Sequence, residues 1–390
     1  MSMGKSKNLN LESLRVAIVH DYLKEIGGAE RVLMTLKEIF PQATVFTAFK
    51  FPEYWGGWRD LLSGWDIHES WGRWLPFLPK LISYYTPISP LFFGAMDLSP
   101  YDLVIVSATG GYFPNGVRIG VKTKLITYCH TPPRFLYGYP TATAARYKWY
   151  WRPISEFVNV ILRQVDFRFA QRPHLLIANS RNIASRIAKF YRREARVVYP
   201  PVENLKFEIL NSKYEARNSK QKGGYYLIVS RIVGGKNIEI AMEAAKIAGF
   251  KLKVAGRPIG RSGEEIVAAM KEEGFDYLGE VSDEEKMKLM AGSRAFLALE
   301  SDADFGVTAV EPQMLGVPVV AYKGGGYMES VVDGKTGLLF SDLSAQGLIG
   351  AIERFERMRF DPKDIIANAK RFSKDRFKED MTQIIKEIYA

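Results

Sequence analysis

Two glycine-containing turns, each directly after an apolar run, have the residue types needed to hold a phosphate group. Gly27 and Gly28 precede a helical pattern; glycine lets the backbone approach a ligand, and a helix N-terminus favours an anion. Arg231 and Lys236 flank the second turn and offer a guanidinium fork and a mobile ammonium for phosphate oxygens. The sequence therefore predicts a diphosphate site at Arg231 and Lys236. The simpler alternative is a tight turn and two solvated cations.

The segment 302–340 contains the densest set of turn and helix signals in the chain. The tripeptide DFG (304–306) predicts a turn, and the following VTAVEPQML predicts a helix whose N-terminal amides point toward a ligand. We expect Glu311, within that helix, to face the same ligand. Three glycines at 324–326 predict a second turn, and DGKTG (333–337) is typical of a β-hairpin turn.

Buried strands that alternate with amphipathic helices must position these turns. The apolar runs typical of buried strands are 16–22, 43–49, 102–108, 124–130, 174–180, 225–231, 250–256, 275–279, 294–300 and 317–322. Helical patterns such as 182–191 lie between them. This alternation predicts an α/β protein with two doubly wound, parallel-sheet, Rossmann-like domains that face a cleft.

Composition divides the chain into four parts. A polar, lysine-rich stretch at 204–224 predicts a linker between an N-terminal Rossmann-like domain at 12–203 and a second domain at 225–370. The tail at 371–390 has apolar residues on one helical face, and we expect this helix to pack back on the first domain.

Composition also limits the classes of protein to which this chain could belong. A chain of 390 residues, 47% hydrophobic and 25% charged, is globular and long enough for two domains. A single cysteine, Cys129, excludes an internal disulfide and a cysteine-built zinc site, and it fits a reducing compartment. We expect no signal peptide, because residues 1–14 are polar and lack an apolar core. We expect no membrane span, because no apolar run reaches about 18 residues. The formal charge of +11 predicts an anionic partner.

Basic and aromatic residues are concentrated in the N-terminal half. Between 132 and 172, seven Lys and Arg accompany ten aromatics, against one Glu and one Asp, and every tryptophan lies between Trp55 and Trp151. This combination favours an anionic membrane surface over nucleic acid, so we expect no nucleic-acid partner. The residues assigned to this membrane surface are Arg146, Lys148, Trp149, Trp151 and Arg152. The alternative is that these aromatics are core residues and the arginines are merely solvated.

The motifs, in their order along the chain, resemble one family. The C-terminal half resembles the donor half of the retaining glycosyltransferase family 4, which has the GT-B fold, through Arg231 with Lys236, DFGVTAVE, GVPVVAY, GGG and DGKTGLLF. GGAERV (27–32) and CHTPPRFLY (129–137) resemble a bacterial and archaeal branch of mannosyltransferases that build surface polysaccharides and lipid-linked glycans. The resemblance covers nearly the whole chain.

The resemblance implies that the first domain binds the acceptor, at the membrane surface assigned above, and that the second domain binds the donor. It also implies a role for each matching residue. The donor phosphates would be bound by Gly27, Gly28, Arg231 and Lys236. Glu311 would accept hydrogen bonds from the ribose, and the backbone of Phe305, Gly306 and Val307 would contact the transferring sugar. His130 would line the sugar pocket from the first domain; a lone histidine is more often structural, but its strand-end position favours a functional role. Catalysis would therefore rest on His130, Arg231, Lys236 and Glu311.

One departure from the family pattern concerns catalysis. The family has two glutamates eight positions apart; the second matches Glu311, and the first falls on Ala303. Asp302 or Asp304 could substitute after a shift of the loop, a natural glutamate could have been replaced, or catalysis could have been lost. Asp302-Ala303-Asp304 also spells the metal-binding DxD of another glycosyltransferase fold. We discount a metal, because the helix that follows belongs to a metal-independent site.

The combined features predict an enzyme. We expect a retaining glycosyltransferase that moves a hexose, mannose from GDP-mannose, to a lipid-linked or polysaccharide acceptor. We expect it in the cytoplasm, peripherally on the inner face of the cell membrane, with no prosthetic group. The alternatives are a sugar-nucleotide epimerase of the same fold and a non-catalytic nucleotide-sugar binder, which Ala303 keeps open. A nicotinamide oxidoreductase is disfavoured, because no G-x-G-x-x-G follows a strand.

Overall fold

The computed structural model describes residues 11–141, 152–203 and 224–390. These residues divide into two compact units. The first unit contains residues 11–141, 152–201 and 375–390, and the second contains 202–203 and 224–374. The predicted linker at 204–224 lies outside the described residues except for Gly224.

A parallel sheet forms the centre of the first unit. Its strands are β1 Val16–His20, β2 Thr44–Thr47, β3 Ile67–Glu69, β4 Leu103–Ala108, β5 Lys124–Cys129, β6 Leu175–Ala178 and β7 Arg196–Val197. The order across the sheet is β3-β2-β1-β4-β5-β6-β7, and each described pair is parallel. β4 pairs with β1 on one side and with β5 on the other, so the carboxyl ends of these three strands lie side by side.

Helices cover both faces of this sheet. They are α1 Gly28–Ile39, α2 Arg59–Ser63, α3 Leu78–Leu81, α4 Ser89–Gly94, α5 Arg152–Ala170 and α6 Arg181–Tyr191. Successive strand residues point to opposite faces. Ile18 therefore packs in the cluster that contains Leu33 of α1, and the adjacent Val19 packs in the cluster that contains Phe92 of α4.

The second unit is built on another parallel sheet. Its strands are β8 Tyr226–Val229, β9 Leu252–Ala255, β10 Asp276–Tyr277, β11 Ala295–Ala298, β12 Val319–Tyr322 and β13 Gly337–Phe340. The order is β10-β9-β8-β11-β12-β13. β13 pairs parallel to β12, with Val319 opposite Gly337. The hairpin predicted for 333–337 is therefore wrong: the segment is a turn that leads into a parallel edge strand.

The helices of the second unit are α7 Ile238–Ala248, α8 Gly260–Glu272, α9 Asp283–Ala291, α10 Val307–Met314, α11 Tyr327–Ser330, α12 Ala345–Glu356 and α13 Pro362–Ala369. α9 begins at a capping box, in which the Ser282 hydroxyl accepts from the amide of Glu285 and the Glu285 carboxylate accepts from the amide of Ser282. α10 begins differently, at Gly306, whose positive φ of 82° belongs to the left-handed region that favours glycine.

The last helix, α14, spans Lys374–Tyr389, and from Asp375 onward it belongs to the first unit. Its apolar face contributes Phe377, Met381 and Ile385 to the cluster that contains Val16 and Ile18. The hydroxyl of Tyr389 donates to the carbonyl of Asp102 at 2.8 Å. The first unit is therefore completed by the C-terminus of the chain.

Candidate active site

The carboxyl ends of β1, β4 and β5 bring three polar side chains together inside the first unit. Ser107 is the penultimate residue of β4, and its hydroxyl lies 3.0 Å from Nδ1 of His20 and 2.9 Å from Nε2 of His130. Nε2 of His20 lies 3.4 Å from Oε1 of Glu30 on α1. The four side chains form a continuous hydrogen-bonded chain from the start of α1 to the end of β5.

His130, which the sequence placed at the sugar pocket, is almost fully buried, with 8% of its surface exposed. Burial, and to a smaller extent the neighbouring His20, lowers the pKa of His130 to about 3. A neutral imidazole can hydrogen-bond a hydroxyl group, but at neutral pH this ring has no second proton to give to a leaving group.

Asp21, directly after β1, organises the loop that follows β4. Its Oδ2 accepts hydrogen bonds from the Thr109 hydroxyl at 2.6 Å, the amide of Gly111 at 3.0 Å and the amide of Tyr112 at 2.9 Å. Asp21 is buried, and this burial raises the pKa of its carboxyl despite those donors. A side chain on Gly110 would come within 2.6 Å of the carbonyl oxygen of Thr131, so the loops after β4 and β5 are in close backbone contact.

Gly27 and Gly28 stand at the N-terminus of α1 with exposed backbone. The amide of Gly27 donates to Oε2 of Glu30 at 2.8 Å, so the capping carboxylate is also the one that contacts His20. Glu30 of the motif GGAE (27–30) is therefore hydrogen-bonded both to the glycine turn and, through His20 and Ser107, to His130. The sequence interpretation missed His20, Asp21, Glu30 and Ser107. The available signals were polar residues at or next to the end of a buried strand, for His20, Asp21 and Ser107, and an acidic residue in the first turn of α1, for Glu30.

The last residue of the motif CHTPPRFLY (129–137), Tyr137, stabilises the fold of the first unit. The hydroxyl of Tyr137 donates to Oδ2 of Asp166 at 2.7 Å, and that of Tyr191 donates to Oδ1 at 3.3 Å. The Tyr137 ring stacks on Phe190 with 4.1 Å between centroids. Burial raises the pKa of Asp166 to about 7, against the opposing effect of the two hydroxyls. This arrangement joins the loop after β5 to α5 and α6.

In the second unit, the loops after β8 and β11 meet through Lys236. Its ammonium forms an ion pair with Glu300, and Nδ2 of the next residue, Asn237, donates to the carbonyl of Leu299 at 2.7 Å. Arg231, the other predicted phosphate ligand, is exposed. Since β8 and β11 are neighbours at the point where the strand order reverses, this edge is where doubly wound sheets bind ligands. Glu300 was not identified from the sequence.

The three glycines at 324–326 let two loops touch through their backbones. A side chain on Gly324 would come within 2.5 Å of the Ser301 carbonyl oxygen, and one on Gly325 would overlap the backbone of Ala303. The amide of Gly326 donates to the carbonyl of Ala303 at 2.8 Å. The predicted turn is therefore a backbone-to-backbone contact that holds the loop after β11 in place.

Ala303 is buried, with 1% of its surface exposed, and it belongs to an apolar cluster of the second unit. Phe296, Ala309 and Tyr327 are members of the same cluster. Asp302 and Asp304 are half-buried, and Phe305 is buried against the ring of Phe372 at 5.2 Å. The position that the resemblance matches to the first family glutamate thus has apolar surroundings in this protein.

Glu311 lies on α10 with its carboxylate against a lysine. Its Oε1 accepts a hydrogen bond from Nζ of Lys286 on α9 at 2.9 Å, and the same ammonium lies 3.0 Å from Oδ1 of Asp283. The side chains of Lys286 and Glu311 are only 11% and 6% exposed. A pocket beside this pair is lined by Glu203, Lys286, Met287, Met290, Glu311, Met314 and Leu315. Lys286 was missed, although a lysine four residues before Met290, on the buried stripe of α9, was a readable signal.

Most of the predicted membrane and acceptor residues lie outside the described residues: Arg146, Lys148, Trp149 and Trp151. Arg152 is the first residue of α5. Three other basic or aromatic residues of the N-terminal half are part of the fold. The indole of Trp55 is buried and donates to the Leu23 carbonyl at 3.3 Å. Arg172 donates to two backbone carbonyls, that of Asn115 at 2.6 Å among them, and Phe169 packs against Gly116.

Other apolar side chains of the first unit are exposed. On α5 these are Ile154, Phe157, Val160 and Ile161, each at least half exposed. Between β3 and β4 they are Trp71, Trp74, Phe77, Tyr84 and Leu91. Residues 70–96 contain Arg73 and Lys80 but no acidic residue. Within the described residues, no helix is long and apolar enough to cross a membrane, and no three His, Cys, Asp or Glu side chains form a metal-binding group.

Comparison with known families accounts for both halves of the chain. The family described as Glycosyltransferase Family 4 matches residues 26–204, and the family described as Glycosyl transferases group 1 matches residues 212–372. The boundary between the two matches falls next to Val202, where the second unit begins.

Similar individual proteins point the same way. The chain is 21% identical to an alpha-1,3/1,6-mannosyltransferase ALG2 of Dictyostelium discoideum, over 97% of this chain and 99% of that protein. It is 22% identical to ALG2 of Mus musculus, over 80% and 81%. The solved structure of Anabaena HepE in complex with UDP superposes with a TM-score of 0.67 at 18% identity, over 96% of this chain and 100% of that one, and supports the fold. The chain is a nucleotide-sugar-dependent glycosyltransferase with the GT-B fold, and its two halves belong to Glycosyltransferase Family 4 and to Glycosyl transferases group 1.

Proposed function

We propose that this protein is a retaining mannosyltransferase that transfers mannose from GDP-mannose to a lipid-linked glycan at a membrane surface. The observation that carries the proposal is the meeting of the loops after β8 and β11 at Lys236 and Glu300, beside the glycine-started helix α10. That edge combines a cation with a helix N-terminus, which together suit a sugar diphosphate. The preference for mannose rests on the named activity of the relatives, together with the motifs at 27–32 and 129–137.

In this proposal the second unit binds the donor. Arg231 and Lys236 bind the diphosphate, and their charge stabilises the nucleoside diphosphate as it leaves. Lys236 exchanges Glu300 for phosphate when the donor binds, so the ion pair keeps the ammonium in place beforehand. The backbone of Phe305, Gly306 and Val307, at the start of α10, contacts the sugar.

Glu311 keeps its proposed role at the ribose, with Lys286 as a positioning residue. Because Nζ of Lys286 holds Oε1 of Glu311 at 2.9 Å, the orientation of the carboxylate is fixed before the nucleotide arrives. The lining of the adjacent pocket by three methionines gives an adaptable apolar wall for the nucleoside.

The first unit supplies His130 and, in this proposal, the membrane and acceptor surface. Gly28 keeps its expected role at the donor phosphate, and His130 keeps its expected role at the sugar. The exposed apolar face of α5 and the basic, acid-free segment 70–96 lie on the membrane, together with Arg146, Lys148, Trp149, Trp151 and Arg152. Aromatic rings and cations at the headgroup level bind anionic membranes. The membrane would be the cell membrane, at its cytoplasmic face.

Ala303 supports a second candidate function. Since the position of the first family glutamate is apolar here, a protein that binds a nucleotide sugar without transferring it has the same donor residues. If transfer does take place, Asp302 or Asp304 on the same loop supplies the carboxylate near the oxocarbenium-like transition state. The two functions differ only in turnover and not in nucleotide binding.

The test is a transfer assay with radiolabelled GDP-mannose, UDP-glucose and UDP-galactose, each with membrane lipid extract as acceptor. We expect label from GDP-mannose in the lipid phase, with the anomeric configuration of the donor retained in the product. Asp302→Asn and Asp304→Asn identify the carboxylate, with Asp333→Asn, an exposed residue before β13, as the control. Binding of GDP-mannose without transfer to any acceptor fraction would establish the binding-only function.

A further inference from the structure

The hydrogen-bonded chain of the first unit contains one group that joins two rings. The Ser107 hydroxyl lies 3.0 Å from His20 Nδ1 and 2.9 Å from His130 Nε2, and Ser107 and His20 are fully buried. A hydroxyl has one proton, so it can donate to only one of the two nitrogens. For both contacts to be hydrogen bonds, the other nitrogen must carry a proton and donate to the Ser107 oxygen.

The carboxylate of Glu30 determines which atom donates and which accepts in each of these hydrogen bonds. Its Oε2 accepts from the Gly27 amide at 2.8 Å, and this fixes the carboxylate with Oε1 at 3.4 Å from His20 Nε2. An ionised carboxylate only accepts hydrogen bonds, so the proton of a neutral His20 lies on Nε2. His20 Nδ1 then accepts from Ser107, and Ser107 accepts from Nε2–H of His130.

We propose that Glu30, His20 and Ser107 are positioning residues that keep the proton of His130 on Nε2 and leave Nδ1 as a hydrogen-bond acceptor. Among the described residues, nothing hydrogen-bonds Nδ1 of His130, while its backbone amide is held by Ala108 at 2.9 Å. The nitrogen is therefore available to a donor from a bound molecule. This inference rests on the proposed function, in which the hydrogen-bond donor to Nδ1 of His130 is a hydroxyl group of the transferred sugar.

The arrangement also links two parts of the proposed site. One carboxylate, that of Glu30, caps the glycine turn at Gly27 and sets the tautomer of His130 through two intervening side chains. A conservative change that keeps the cap but removes the negative charge should therefore leave α1 intact and alter His130.

The direct test is nitrogen-15 NMR of the histidine rings in the full-length protein. Only four histidines are present, so His→Gln variants assign the signals. We expect a protonated Nε2 and an unprotonated Nδ1 for His130. His174 is an internal reference, because its Nδ1 accepts from the Leu125 amide at 3.1 Å and should show the same pattern independently of Ser107. A protonated Nδ1 on His130 would mean that the chain runs in the opposite direction, and would overturn the proposal.

Two variants test whether Glu30 and Ser107 set the tautomer of His130, and a third variant is the rescue control. Ser107→Ala and Glu30→Gln should change the His130 signals and leave those of His174 unchanged, and Ser107→Thr should restore the wild-type pattern by restoring the hydroxyl. With GDP-mannose, kcat should fall about tenfold, the effect of one lost hydrogen bond, while the Kd of GDP stays unchanged. Unchanged His130 signals in both Ser107→Ala and Glu30→Gln would refute the proposed positioning role of Glu30, His20 and Ser107. No transfer by the wild type, with the expected NMR pattern, would instead refute the proposed function.

Discussion

The two units bury ionisable side chains in different ways. In the first unit, the buried Asp166 is hydrogen-bonded by two tyrosine hydroxyls, and Asp21 is hydrogen-bonded by one hydroxyl and by backbone amides. In the second unit, the buried Glu311 faces the ammonium of Lys286. Neutral hydrogen-bond donors fix the orientation of a carboxyl group without adding a charge, whereas an ion pair keeps two charged groups in place. The first unit thus orients these buried carboxyl groups with neutral donors, and the second unit holds an ion pair in its interior.

The largest expected effect comes from removing the lysine of the buried Lys286–Glu311 ion pair in the second unit. Lys286→Met leaves the Glu311 carboxylate buried without its ammonium, which costs about 3–5 kcal/mol of unfolding free energy. The double variant Lys286→Met, Glu311→Leu should recover most of that loss, because a well-packed apolar pair is often as stable as a buried ion pair. Urea unfolding followed by fluorescence measures both. A single-variant loss below about 1 kcal/mol would show that water reaches the carboxylate.

Asp166 should make the first unit less stable at higher pH. Its pKa is raised to about 7 in the folded protein, so the protonated form stabilises the fold at low pH. That stability is lost as the pH rises from about 4 through about 7, at up to about 1.4 kcal/mol per pH unit. Asp166→Asn should flatten the dependence between pH 5 and pH 8 in urea titrations. Parallel wild-type and variant curves would show that the carboxyl does not titrate in this range.

The proposed charge-handling role of the second unit predicts opposite effects of two substitutions on GDP affinity. Arg231→Ala should weaken binding by about 1.5–3 kcal/mol, the range for a hydrogen bond to a charged group. Glu300→Gln should strengthen it by less, about 1 kcal/mol, because Lys236 no longer has to leave a carboxylate. Arg354→Ala, on the exposed side of α12, is the control. Calorimetry that finds equal affinities for Arg231→Ala and the control would remove Arg231 from the site.

The smallest effects should distinguish the surfaces of the two units. Arg73→Glu and Lys80→Glu, in the acid-free segment, should each weaken binding to anionic vesicles by about 1 kcal/mol, and by less at high salt. Lys246→Glu beside the exposed Ile247 of α7 is the matched change in the second unit and should have no effect. Vesicle flotation is the measurement. Equal losses from both units would indicate non-specific attraction of a basic protein, and the membrane proposal would fail.

The sequence predicted the parts of the fold that have a continuous apolar pattern. Central strands such as β1 and β4 are buried along their whole length, so each reads as an apolar run. The edge strands β3 and β7 are short and partly exposed, and they carry polar residues such as His68 and Arg196, so no pattern marked them. β13 was misread as part of a hairpin, because a turn sequence gives no information about the direction of the next strand.

The candidate site was predictable only one residue at a time. Each polar residue at or next to the end of a strand can be named from the sequence. The contacts of the Ser107 hydroxyl with His20 and His130, however, require β1, β4 and β5 to be adjacent, and no local sequence pattern specifies the strand order. The pairing of Glu311 with Lys286 likewise depends on how α9 packs on α10. The apolar surroundings of Ala303 follow from the same tertiary packing.

The contact between the glycines at 324–326 and the loop after β11 has a consequence for dynamics and for engineering. Because the amide of Gly326 is bonded to the Ala303 carbonyl and no side chain fits between the loops, the two segments should open together. In hydrogen exchange, the Gly326 amide should therefore exchange at the rate at which the neighbouring loop detaches. A library that diversifies 301–305 alone would be constrained by the fixed glycine surface, so altered sugar selectivity requires both loops to be varied together.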